Sequence, residues 1–174
     1  MFRHATAALV LLTLPAFAAQ PDSWADTPPS IDIVVGPPWI SIESPANPYN
    51  SETRGALLVV RVYHHGEAAF FPVSGTAEGL VDGKRQSSKL SFGSTSTPGM
   101  YTLKYAKPES GTWLLMIHAG EEGQHGQATA VVSLGADGQV ASVQVPTKKD
   151  GDYTLPRELS EAEVTARLKG MPGA

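Results

Sequence analysis

The chain alternates apolar and polar residues with a period of two over short stretches, each closed by glycine, proline or an Asp-Gly pair. This is the pattern of half-buried strands. Trp39–Glu43 places Ile40 and Ile42 on one face, with Trp39, Ser41 and Glu43 on the other. Ala56–Tyr63 places Leu58, Val60 and Val62 opposite Leu57, Val59, Arg61 and Tyr63, and its β-branched content favours strand over helix. Ala68–Val73 reads as a short strand kept to an edge by Pro72, which cannot donate to a ladder. Thr76–Val81 and Lys84–Phe92 flank Asp82-Gly83, a hairpin signal because both central residues of such a turn need positive φ. Tyr101, Leu103 and Tyr105 then alternate up to the turn Lys107–Gly111. Thr112–His118 follows, with Trp113, Leu115 and Ile117 on one face and Leu114 and Met116 on the other. The span Gly99–His118 is therefore expected to be two strands around a tight turn. The second of them, apolar on both faces, is expected to be an interior strand. Ala128–Leu134 and Gln139–Val145 flank Asp137-Gly138 as a further pair, and Lys148–Tyr153 reads as a charged turn.

A single helix is expected near the end. Ser160 with Glu163 forms a capping box, Leu159 and Val164 a hydrophobic staple, and Arg167 and Lys169 complement the dipole before Gly170. Strands without strand–helix alternation predict an all-β fold. The expectation is an antiparallel immunoglobulin-like sandwich of about seven to nine strands over 39–147, followed by a C-terminal turn and short helix over 148–174; a small barrel is the competitor.

The N-terminus changes the picture of where the chain works. Arg3 with His4, the apolar run Ala5–Phe17 and Ala16-Phe17-Ala18 fit a secretory signal peptide over 1–18. The run is short for a membrane span, so no transmembrane segment is expected after cleavage. Residues 19–38, with Pro21, Pro28, Pro29, Pro37 and Pro38, read as an extended tether interrupted by Ile31–Val35, a possible edge strand. There is no cysteine, which excludes disulfides, thiolate metal sites and a cysteine nucleophile. With a net charge of −4, a nucleic-acid surface is not expected. These features point to a periplasmic or secreted protein.

Two segments carry a family resemblance. In the first, Pro72-Val73-x-Gly75 leads an alternating strand into the Asp82-Gly83 turn; in the second, Gly99-x-Tyr101 is followed by Gly111-x-Trp113 and an apolar strand. Together they resemble bacterial extracytoplasmic immunoglobulin-like modules of the YtkA-like, FixH-like and carboxypeptidase-regulatory-like groups, and distantly the copper-binding CopC group. The resemblance spans about Gly55–His118 and implies a sandwich fold and an accessory or attachment role. It departs from CopC in that a mature end near Ala19-Gln20 offers no N-terminal histidine.

Candidate chemistry is sparse. There is no G-x-S-x-G elbow, and Glu121/Glu122 and Asp150/Asp152 read as solvated loop charges, so no enzyme is expected. Asp150-Gly151-Asp152 supplies too few oxygens for calcium. Lys84, Arg85 and Lys89 read as charges that protect an edge strand. Trp39, Tyr49 and Tyr63 could form an aromatic platform or simply core. The histidines His64, His65, His118 and His125 remain. His118 and His125 bracket a loop, and with His64 or His65 they could hold copper or zinc. On a regular strand His64 and His65 would point to opposite faces and could not share one ion. The leading expectation is an exported, non-enzymatic binding or accessory domain whose partner is a protein or cell-envelope component; the alternative is a periplasmic copper- or zinc-binding protein using those histidines.

Overall fold

The structure, a computed structural model, describes residues 36–108, 110–121 and 126–172. Twelve strands and one helix lie among them. The strands are β1 (Trp39–Glu43), β2 (Leu58–His64), β3 (Glu67–Ala68), β4 (Val73–Val81), β5 (Lys84–Lys89), β6 (Phe92–Ser94), β7 (Met100–Leu103), β8 (Thr112–Ala119), β9 (Ala128–Leu134), β10 (Val140–Gln144), β11 (Thr147–Asp150) and β12 (Tyr153–Pro156); the helix is α1 (Glu161–Gly170). The expected Ile31–Val35 strand and the proline-rich stretch before it lie outside the described residues.

One sheet runs β1-β2-β7-β6, with β3 paired to β2; the other runs β10-β9-β8-β4-β5. Setting β3 and β10 aside, this is the strand distribution of an immunoglobulin-like sandwich, all pairs antiparallel. Alternation then decides burial. Ile40, Leu58, Val60, Val62 and Leu103 from the first sheet meet Ala77, Trp113, Leu115, Ile117, Ala130 and Val132 from the second. The outer face of the second sheet is covered too. Leu80, Leu114, Met116 and Val131 pack against Leu159, Val164 and Leu168 of the C-terminal segment. This explains why β8 is apolar on both faces: one faces the sandwich, the other faces α1.

The helix begins as its sequence dictates. Ser160 caps it, with both capping-box hydrogen bonds to Glu163 formed. It closes without a left-handed glycine, since Met171 takes the C-cap position in an extended conformation. With ten residues it is too short to be stable alone, so its docked face is what holds it.

Four expectations need correction. Gly99–His118 is not a hairpin: β7 pairs with β2 and β6, while β8 pairs with β4 and β9, so the turn arches between sheets. Lys84–Phe92 is not one strand. β5 ends at Lys89 in the second sheet, Leu90 enters the core, and β6 begins in the first. Only Glu67–Ala68 of the stretch around Ala68–Val73 pairs as an edge before the chain crosses to β4. There the Ala69 N–H still donates to Val62 and the Pro72 carbonyl accepts from Gly120. Finally, Lys148–Tyr153 is not just a turn but lies within an exposed two-stranded hairpin, β11–β12.

Candidate functional site

The outer face of β1 and β2 carries one exposed tryptophan beside half-buried aromatic and charged side chains. The register sets Trp39 opposite Tyr63, Ser41 opposite Arg61 and Glu43 opposite Val59. Trp39 is 63% exposed, unusual for a tryptophan in a strand, and Tyr63 is half-buried. Directly opposed residues on one face lie about 5 Å apart at Cβ, which sets these two aromatic residues side by side on the outer face. Beside them Arg61 donates from Nε and Nη2 to Glu43 Oε2, at 3.1 and 2.9 Å. Val59, Met100 and Thr102 point to the same side by alternation yet are buried. The loop 44–57 lies near there and is tied to the next loop by the Ser96 N–H, which donates to Glu52 at 2.7 Å. That bond holds the Glu52 carboxyl below its ordinary range. Tyr49, the third aromatic of the expected platform, is 91% exposed in this loop, outside the β1–β2 register.

The histidines are distributed differently from expectation. His64 and His65 were expected to diverge, but His65 is not in a regular strand. β2 turns into β3 through His65-Gly66, with φ of 50° and 85°, so His64 faces Glu67 across a two-residue turn. The two rings come together edge-on, with centroids 4.1 Å apart. His64 is further held by Phe71, at 5.6 Å between centroids, and by a 3.1 Å hydrogen bond from Nε2 to the Gly36 carbonyl. The clue in the sequence was the His-Gly pair itself, since histidine is among the side chains that tolerate the left-handed region.

His118 lies elsewhere. It shares its face with Leu114 and Met116, under the start of α1, whereas His64 shares its face with the inward-pointing Leu58, Val60 and Val62. The second sheet therefore stands between them. His118 Nδ1 is 3.0 Å from the Thr129 hydroxyl and 3.8 Å from Glu158. His125 lies outside the described residues. Among the described residues no group of three or more His, Asp or Glu side chains converges for a metal ion.

Next to His118, a polar network missed in the sequence fastens α1 to the sheet. Arg85 donates to Glu78 at 2.8 Å, to the Thr165 hydroxyl at 2.7 Å and to Glu161 at 3.4 Å. Burial pushes the Glu78 carboxyl up, but hydrogen bonds from Ser87, Thr76 and Arg85 outweigh it and hold the group below its ordinary range. Arg85 is thus an anchor for the helix, while Lys84 and Lys89 stay exposed on the edge strand as expected.

An open cleft of about 470 Å³ lies at the end of the sandwich between Leu57, Tyr105, Lys107, Asp137 and Gln139. Burial raises the Tyr105 phenol. Its polar groups are largely engaged at home: Lys107 donates to the Pro108 carbonyl and Asp137 accepts from the Gln139 N–H. No helix among the described residues is long and apolar enough to cross a membrane. No protein-family model, curated protein or solved structure gives a significant match to this chain.

Proposed function

We propose that this chain is an exported, non-enzymatic binding or accessory module of the extracytoplasmic immunoglobulin-like kind, and that the outer face of β1–β2 contacts a cell-envelope component. The observation that carries this reading is the cross-strand pair of exposed Trp39 and half-buried Tyr63, beside the Glu43–Arg61 ion pair. An exposed tryptophan gains nothing for folding there. It can gain a great deal on contact, because tryptophan, tyrosine and arginine are the side chains that dominate binding energy when a partner excludes water from them. The ladder fixes the backbone that presents the four side chains, and the Arg61–Glu43 pair orders two of them, which reduces the conformational freedom lost on binding. Export rests on the leader pattern of residues 1–18.

The test is capture from isolated envelope fractions by a protein carrying a photo-crosslinking residue at position 41. Trp39→Ala should lower capture by about tenfold or more while leaving the melting temperature in place. Equal capture by the two proteins would remove this face from the function.

A further inference from the structure

The turn His64-His65-Gly66-Glu67 has a property that the aromatic face does not use. Its backbone is committed to the left-handed region at two successive positions, and this brings two imidazoles side by side. One of them is oriented. A backbone carbonyl can only accept, so the neutral His64 ring carries its proton on Nε2, bonded to Gly36, and presents the lone pair on Nδ1. A histidine whose other N–H is spent on a backbone carbonyl is the usual arrangement for a metal ligand, because that bond fixes both tautomer and ring plane. Phe71 packs on the same ring and restricts it further. His65 is exposed, so its ring can turn about its side-chain bonds between staggered rotamers at little cost. Opposite His64 in the ladder stands the exposed carboxylate of Glu67, which favours a cation nearby.

We propose that this turn is a two-imidazole site for a divalent transition metal, with His64 Nδ1 and one ring nitrogen of His65 as the protein ligands and water completing the sphere. Copper(II) is the metal it suits best. Copper heads the affinity order for nitrogen ligands and accepts a tetragonal arrangement in which two neighbouring positions come from protein. Zinc, which in closed structural sites takes four protein ligands, is less well served. The site includes neither His118 nor His125 and is independent of Trp39 and Tyr63.

The experiment is titration of Cu²⁺ into the purified full-length protein, read by calorimetry and by electron paramagnetic resonance. One equivalent should bind with a spectrum showing two coordinated imidazole nitrogens. His65→Asn keeps a side chain that accepts positive φ, so the turn survives, and it should weaken this binding by about tenfold or more. His64→Ala should do the same, and His118→Ala should leave it unchanged. The doubly substituted His64→Ala, His65→Asn protein retains the chain terminus and the other histidines. If it binds one equivalent of Cu²⁺ as tightly as the parent, or if the parent spectrum shows fewer than two imidazole nitrogens, the proposal is overturned.

Discussion

The Thr112 hydroxyl, at the start of β8, donates a 3.1 Å hydrogen bond to the carbonyl of Leu168, in the last turn of α1 and 56 positions along the chain. Both residues are buried. The last carbonyls of a helix have no donor in a following turn; this one accepts the Met171 N–H at 3.3 Å, and the Thr112 hydroxyl is its second, shorter bond. A strand residue thus completes the end of the helix that covers its own sheet. Thr112→Val keeps the shape and removes the donor. Because the Met171 N–H still serves the carbonyl, this change should lower stability by about 0.5–1.5 kcal/mol in a denaturant titration, and Thr112→Ser should recover most of that. An unchanged midpoint for the valine variant would mean that the Thr112–Leu168 hydrogen bond adds nothing to the packing that docks the helix end.

Acid should loosen the start of the same helix. The Arg157 guanidinium, and then the backbone and side chain of Ser160, hydrogen-bond Glu163 and lower its carboxyl from 4.5 to about 2. A carboxyl depressed in the folded state contributes stability above its unfolded value. That contribution is lost as pH falls through the interval from about 4.5 to about 2. Glu163→Gln can still cap the helix but cannot carry the charge. The stability difference between parent and variant should therefore be full at pH 7 and shrink steadily below pH 4.5. A difference that stays constant with pH would rule out the Arg157 pairing as its source.

Gly79 in β4 gives Trp113 its room. A Cβ placed there would meet the indole ring at 2.7 Å, and the ring is further held by its Nε1 donating to the Ser110 carbonyl at 2.9 Å. Gly79→Ala should cost about 1–3 kcal/mol by overpacking. Trp113→Phe shortens the ring and should relieve the clash, so the double variant should be more stable than the sum of the two single changes predicts. Strict additivity in thermal or chemical unfolding would show that the two positions do not touch.

Much of the fold was legible because alternation is a local property. Leu58, Val60 and Val62 were assigned to one face from spacing alone, and all three lie in the core. The Asp82-Gly83 turn was readable because its chemistry is local too, and both residues take positive φ. The β11–β12 hairpin was missed because its strands bury little and so leave no apolar period to detect. The candidate sites were less legible. The aromatic character of Trp39 and Tyr63 is legible locally, but their juxtaposition depends on the β1–β2 register. His64 and His65 were separated on the premise of a regular strand, which the His65-Gly66 turn breaks.

By itself the sequence determined the two faces of β2 and β8, the Asp82-Gly83 turn and how α1 begins, since each of these follows from side-chain period, glycine chemistry, or a cap within four residues. Tertiary structure alone decided which strands pair beyond the local hairpins β4–β5 and β9–β10. A connection such as 104–111 reads the same whether it closes a hairpin or arches between sheets, and only the competing ladders of β2, β4, β6 and β9 send β7 and β8 apart. It also decided that His118 faces the helix while His64 meets His65, because the side of a sheet is meaningful only once something covers one face of it.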